Sequence, residues 1–525
     1  MWELRSAVEV RSTMKTPRAP EAQQTTTVEE YRSIGRLAGR GAAWAVVANL
    51  TMRFASIAVT ALLARLLSKE DFGVFAVALA VYLIVASLAE MGMASAIARA
   101  ADEPDSIAPT VATLSIATSG LLGTVMAVAS TPLAALLGQP GAAGPIRILS
   151  LSLLLTGLFA VPGAQLVREF RQDRIFFGTL VGFVVANPLL VVLALNGGGA
   201  AAFAWSRVLG QLATGIVLFL SVSRRYRPGW KQESFAPLLR FGLPLAIANL
   251  VNWSLLNADY LILGRLVDAA EVGVYMIAFN VANWSTAIMG SVMNSVVVPT
   301  FGRLGADRER LGTALVNAAR LVALVAFPVG TLSWALSAPL IVTVFGGRWA
   351  EAAPVLAVLA WYGILFSFSL LFANVLVALG KTRQLLVVQL AWVALLVPVM
   401  VFGLSRYGLA GVAWAHVVTI ALVAVPGYMV FSLPPTGLGV RRLLRPLARP
   451  LGAAALAGVV AWLAKQVVAG ALSELLIGGF VGALVYLLLV APVAVQMIPS
   501  DRLPHWLPVR RRGHSPIASP GEADL

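Results

Sequence analysis

Apolar stretches of twenty or more residues recur along this chain, and they decide its fold class. Inside a bilayer no water can satisfy a bare backbone amide, so only helices or closed barrels span it. The stretches here are continuous rather than alternating, which selects helices. The rest of the composition agrees: 59% of the 525 residues are apolar and 12% are charged, outside the usage of water-soluble domains. There is no cysteine, so disulfides and thiolate metal sites or nucleophiles are excluded. Three histidines leave little for a metal cluster, and neither a metal nor a cofactor is expected.

Hydropathy places helices near 42–67, 72–98, 108–130, 145–167, 175–195, 199–222, 241–264, 271–299, 313–345, 353–379, 384–404, 408–432, 450–469 and 474–498. The expected architecture is therefore an all-α polytopic membrane protein with about fourteen transmembrane helices. The ninth segment is overlong and contains Pro328 and Pro339, so it should be kinked or partly loop. Residues 1–40 form a polar, basic tail without the apolar run of a signal peptide, expected to be disordered and cytoplasmic.

The net charge of +15 would suggest nucleic-acid binding in a soluble protein. Here its distribution follows the positive-inside rule, and no nucleic-acid partner is expected. With both termini inside, the inner segments carry 29 of the 39 Lys and Arg, the outer loops seven, and the helices Arg53, Arg207 and Arg320. One missed helix would invert every later loop, so the bias supports both the orientation and an even helix count.

Displacing the chain by 200 residues aligns Ala48-Asn49-Leu50 with Ala248-Asn249-Leu250, Arg65-Leu66 with Arg265-Leu266, and Gly73-Val74 with Gly273-Val274. At an offset of 209, Gly199–Val208 (GAAAFAWSRV) meets Gly408–Val417 (GLAGVAWAHV). The repeating unit is six helices. An even number of spans returns the chain to its starting side, so the halves are parallel repeats about an axis along the membrane normal. The domains expected are a lobe over 41–222, a basic linker over 223–240, a second lobe over 241–432, a basic linker with two extra helices over 433–498, and a tail over 499–525.

Leu63-Ala64-Arg65-Leu66-Leu67-Ser68-Lys69-Glu70-Asp71-Phe72-Gly73 resembles the ARLLSPEDFG signature of the Wzx-type polysaccharide flippases in the MATE/flippase superfamily. Glu90-Met91-Gly92 falls where that family carries an acidic residue before apolar-Gly, and Asp259 to Gly264 with Gly273-Val274-Tyr275 resembles its second-half segment. The resemblance covers most of 41–432. It implies a V-shaped, two-lobe bundle in the bacterial cytoplasmic membrane, and a substrate consisting of an oligosaccharide on a polyprenyl diphosphate. Membrane lipids are partners, and a glycan polymerase is a candidate partner.

Ionisable groups at membrane depth are costly and are default functional candidates. Arg53 lies near mid-bilayer in the first helix, and at 100° per residue Asn49, Arg53, Ser56 and Thr60 fall within about 60° of one another. Arg53 either grips the diphosphate bidentately or forms an interhelical ion pair, for which Glu90 is the available carboxylate. Arg207 and His416 occupy matching repeat positions and either contact substrate or protons or snorkel to the interface. Asn249, Asn252 and Asp259 align on the seventh helix, and Asn280, Asn283 and Trp284 on the eighth. Amides and a Trp suit sugar hydroxyls and flat CH faces, or else join helices. Gly380-Lys381-Thr382 imitates the end of a phosphate-binding loop, but Val375 stands where its first glycine is required and no strand precedes it, so no nucleotide is expected.

Nothing supports enzymatic catalysis. The readings kept open are a flippase, a cation-coupled small-molecule exporter sharing the fold, and a membrane glycan polymerase or ligase. The last would need a large polar outer loop, whereas the longest one, 131–144, is short. The topology gives a direct expectation: reporters fused after Pro228 and after Pro435 should both report the cytoplasm, and an extracytoplasmic signal at both would overturn the orientation.

Overall fold

The structure is a computed structural model that describes residues 51–52, 55–89, 97, 107–292, 301 and 307–495. Asn49, Arg53 and Glu90, together with both tails, lie outside the described residues. Every regular element among the described residues is a helix. Its main elements are α1 (Ala55–Leu66), α2 (Lys69–Ala89), α3 (Ala108–Val128), α4 (Ser130–Leu136), α5 (Ala143–Arg168), α6 (Gln172–Leu195), α7 (Gly199–Ser221), α8 (Gln232–Leu266) and α9 (Ala269–Val292). The second half continues with α10 (Arg308–Ala335), α11 (Ser337–Phe345), α12 (Ala352–Ala378), α13 (Thr382–Thr419), α14 (Val425–Ser432), α15 (Val440–Leu444), α16 (Ala448–Lys465) and α17 (Ala471–Val495). Ten helical runs among the described residues are long and apolar enough to cross a membrane.

Several boundaries differ from the sequence expectation; the helix expected from 313 begins at Arg308, and the segment expected over 408–432 is shared by α13, a π-helical turn and α14. The helix expected from 241 begins at Gln232, so the second part of the 223–240 linker is helical. The overlong ninth segment divides at Leu336 into α10 and α11, with Pro339 in the first turn of α11, where proline lacks only an amide that has no helical partner. Within α13 the chain turns back at Gly408, whose φ of +58° disfavours a side chain. Trp392 Nε1 donating to Thr419 Oγ1 at 3.2 Å shows that the two arms lie side by side.

Residues Leu63–Leu525 form one compact unit, and within it the two halves of the chain meet at the first turns of α2 and α9. Gly73 and Gly273 cross backbone to backbone there. A Cβ on Gly73 would overlap the carbonyl oxygen of Ala269, and one on Gly273 would overlap that of Lys69. Each added carbon would also lie 3.0–3.1 Å from the other glycine's nitrogen.

Around this crossing each half caps the other's helix ends. Arg348 donates to the carbonyls of Ala64 and Leu67, the latter at 2.6 Å, and Trp349 Nε1 donates to Ala64 O at 2.8 Å. In the other direction, Gln139 Nε2 donates to Gly264 O and Val267 O, each at 3.1 Å. The acceptors 64 and 67 stand 200 residues from 264 and 267, and the donors 139 and 348 stand 209 apart. Gln139 directly precedes the short 3-10 turn Pro140–Ala142, and Arg348 lies within the matching turn Gly347–Trp349.

Last-turn carbonyls have no partner within their own helix, so these contacts satisfy groups that would otherwise be stranded. A charged donor to a carbonyl contributes roughly 1.5–3 kcal/mol. The nearby Lys69–Glu351 ion pair, at 2.8 Å with Glu351 largely exposed, contributes at most about 1 kcal/mol. The caps and the glycine crossing therefore dominate the closure.

Outside this frame, α16 and α17 pack on α10 and α11 through small residues. Ala454, Ala457 and Ala461 are buried, Gly458 abuts Thr331, and Gly482 abuts Ala457 and Ala461, the close approach that small residues permit between membrane helices. Lys465 Nζ caps the Ala335 carbonyl at 2.6 Å, and the Tyr486 hydroxyl donates to Leu324 O at 2.9 Å. Gly73→Ala and Gly273→Ala should each force the crossing apart and cost about 1–3 kcal/mol, read as a lowered thermal midpoint of the purified protein. Gly452→Ala, where an added Cβ meets nothing within 4 Å, should be neutral.

Candidate functional site

Directly inward from the glycine crossing lies a cavity of about 340 Å³ between α2 of the first half and α8, α9 and α12 of the second. α2 contributes Ala76, Leu79 and Leu83, and α9 contributes Met276, Phe279, Asn280 and Asn283. Three of these α9 residues lie 200 positions from the three on α2. With glycines at 73 and 273, the same faces that cross at the top diverge below to line the space, at the i, i+3, i+7 spacing of one helix face. α8 adds Trp253, Leu256, Asn257 and Tyr260, and α12 adds Tyr362 and Phe366.

The wall of the second half is an aromatic sheet. Tyr275 stacks on Phe279 at 5.7 Å and Phe279 on Tyr362 at 6.0 Å, with Tyr260 edge-on to Tyr275 and Phe279 at 5.9 and 6.1 Å. Amides are interleaved with these rings: Asn280 and Asn283 are half-buried in the lining, while the Asn257 amide donates to Trp253 O at 2.8 Å. Flat rings beside amide groups match the CH faces and hydroxyls of a sugar. No carboxylate, Lys or Arg lines this cavity among the described residues.

Asn280 and Asn283 thus line the cavity, and the other residues singled out from sequence are placed elsewhere. Asn252 is half-buried on α8, its Oδ1 lying 3.5 Å from Gln389 Nε2 on α13. Asn249 and Trp284 are half-buried on α8 and α9. Asp259 and His416, 1% and 4% exposed, do not line the cavity but lie behind its aromatic wall, His416 being 5.0 Å from the Tyr362 ring. Arg207 is half-buried and does not line the cavity. Its guanidinium lies 4.9 Å from the Tyr82 ring centroid, held by cation–π attraction, with Nε buried and unbonded. Trp205 and Trp414, 209 apart, are both exposed on the outer surface of the bundle.

Sequence reading missed Tyr260, Tyr362, Phe366 and Trp253, because aromatics in an apolar helix carry no signal separating a cavity wall from packing. It also counted Arg348 only as a loop charge and passed over Gln139.

A profile of polysaccharide biosynthesis proteins matches residues 62–354, more than half of the chain. The chain belongs to that family. The succinoglycan biosynthesis transport protein ExoT of Rhizobium meliloti is 29% identical over 472 residues, covering 86% of this chain and 92% of that one. The lipopolysaccharide biosynthesis protein WzxC of Escherichia coli is 26% identical over 422 residues, covering 78% and 84%. In fold the chain is similar to the lipid II flippase MurJ in an inward closed conformation, with a TM-score of 0.67, 15% identity and coverage of 86% and 99%. An inward-facing MATE transporter of the MOP superfamily superposes at 0.62 with 18% identity, covering 75% of this chain and 98% of its own. The resemblance to Wzx-type flippases of the MATE/flippase superfamily therefore holds, and this polysaccharide biosynthesis family protein has the fold of a multi-pass membrane transporter.

Proposed function

We propose that the protein carries an oligosaccharide linked to polyprenyl diphosphate from the inner to the outer leaflet of the bacterial cytoplasmic membrane, by alternating access between two parallel six-helix repeats. The observation that carries this reading is the cavity between α2 and α8, α9 and α12, lined with aromatics and amides and roofed by the Gly73–Gly273 crossing. The transport proteins among its relatives act in polysaccharide biosynthesis, and one solved neighbour of the same fold is a lipid II flippase. A transporter rather than an enzyme follows from the same relatives.

The offsets of 200 in crossing, acceptors and lining, and of 209 in the donors, support a twofold relation between the repeats. A contact that maps onto itself when its partners are exchanged is what a twofold axis produces. We place that axis along the membrane normal and the crossing at the outer face, with both termini and the 433–449 linker in the cytoplasm, and count fourteen spans. The α16–α17 pair is then an addition to the second repeat rather than part of it. On this reading the described state is closed outward, and rocking of the lobes would open the roof. The absence of carboxylates from the lining among the described residues favours a sugar-bearing cargo over a cationic drug, whose charge would need such partners.

The diphosphate requires a cation, and the first-helix stripe of Asn49 and Arg53 supplies the candidate. The test is flipping of a fluorescent polyprenyl-diphosphate oligosaccharide in vesicles containing the purified protein. Activity should fall in the order Arg, Lys, Ala at position 53, because lysine keeps the charge but loses the planar fork. Normal flipping by an abundant Arg53→Ala protein would remove Arg53 from the mechanism. A vesicle preparation that moves no lipid-linked oligosaccharide would remove the flippase reading itself.

A further inference from the structure

Behind the aromatic wall of the cavity, Asp259 of α8 faces His416 of α13, with Oδ2 3.9 Å from Nε2. It is the one carboxylate–imidazole pair among the described residues. The carboxylate accepts from the Tyr275 hydroxyl at 3.0 Å through Oδ2 and from the Tyr260 amide at 3.0 Å through Oδ1. Both imidazole nitrogens are buried with no hydrogen-bond partner. A neutral imidazole needs an acceptor for its N–H and a donor for its other nitrogen, so the ring is left with two unmet demands, and the polar atom it faces is Asp259 Oδ2.

The surroundings limit what could neutralise the pair. Beside Asp259 stands Tyr260 on its own helix. α9 brings Tyr275, α12 brings Tyr362, and α13 brings His416 itself. From α2, which also packs on α8, the side chains turned toward the cavity wall are the apolar Ala76, Leu79 and Leu83. Among the described residues, no Lys or Arg forms an ion pair with Asp259, and no Glu forms one with His416.

A bare carboxylate at this depth beside a neutral ring would leave an uncompensated charge, whose burial costs several kcal/mol. One proton makes the pair neutral, and placed on Asp259 as a carboxylic acid it supplies the donor that Nε2 of a neutral His416 lacks. The amide and hydroxyl that touch the carboxyl group both turn hydrogens toward it and so occupy lone pairs that a metal cation would need. At the 200 and 209 offsets the first half carries Val59 and Arg207 in place of Asp259 and His416, so the shared architecture does not itself require the pair.

We propose that Asp259 and His416 form one proton-binding site, occupied by a single proton in the outward-closed state, and that its occupancy is linked to the shape of the cavity through Tyr260, Phe279 and Tyr362. The proposal deepens the transport reading by making it proton-coupled, and rests on that reading for the use of the proton but not for its detection. The step is a proton transfer alone: the proton enters from water when the site is open to one side and leaves to water on the other, with no bond to carbon or phosphorus changed.

The test uses the purified full-length protein in lipid vesicles without any glycolipid, so that its outcome is separate from that of the flipping assay. Infrared difference spectra across a pH titration should show a carboxylic-acid carbonyl band that shifts when aspartate is labelled with ¹³C at the carboxyl. That label needs no substitution, so the reading survives even if variants fold poorly. The band should be lost in Asp259→Asn, and its midpoint should move by at least about one pH unit in His416→Gln. Because the chain has no cysteine, Leu83→Cys gives a single thiol in the cavity. Its maleimide labelling rate should change several-fold across the same midpoint and become independent of pH when combined with Asp259→Asn. No label-sensitive acid band, a band that survives Asp259→Asn, a labelling rate indifferent to pH, or a band displaced by sodium ions at constant pH would each overturn the proposal, the last in favour of a sodium site.

Discussion

The two halves of this protein cross backbone to backbone at two glycines, and the rest of the described arrangement is organised around that contact. Gly73 and Gly273 let α2 and α9 cross with their backbones touching, which no side chain larger than hydrogen allows. Because the crossing is confined to the first turns, the helices separate below it, and that separation is the cavity. Two straight helices packed on ordinary side chains would stand 8–10 Å apart along their length and would leave neither a sealed roof nor a chamber beneath.

The contiguous segment from Leu63 to Gly73 carries most of the parts of this closure. Ser68 and Asp71 form a reciprocal cap, with the Ser68 amide on Asp71 Oδ2 at 3.1 Å and the Asp71 amide on Ser68 Oγ at 3.1 Å, which starts α2. The other oxygen of Asp71 accepts from the Ala200 amide at 3.1 Å, tying the start of α7 to the same point. Phe72 packs edge-on against both Phe203 and Trp349, at 5.0 and 5.1 Å, and so links the first half to the turn that carries Arg348. A run that reads in sequence as a signature is physically a helix end, a helix start and a crossing point placed in succession.

Most of the helical architecture was legible because burial in lipid makes hydropathy a direct readout of structure: α3, α5, α6, α7 and α12 begin and end within three residues of their sequence-based bounds. What hydropathy could not reveal was the polar start of α8, where Gln232 to Arg240 is helical without being apolar. The cavity was half legible. Asn280 and Asn283 were found because amides are conspicuous in an apolar helix, but Tyr260 and Tyr362 were not, since their rings look like packing. The same limit hid the position of Asp259 and His416: periodicity assigns residues to a helix face, and cannot tell the face that lines a chamber from the one that supports its wall.

The central claim is that the crossing and its caps must part for cargo to pass. The lack of native cysteines allows it to be tested with Lys69→Cys and Glu351→Cys, whose parent side chains meet at 2.8 Å beside the glycines. Joining them with a thiol-cleavable bis-maleimide should abolish flipping of a polyprenyl-diphosphate oligosaccharide in vesicles, and cleaving the linker should restore it. Unimpaired flipping by fully cross-linked protein would show that the roof does not open during transport.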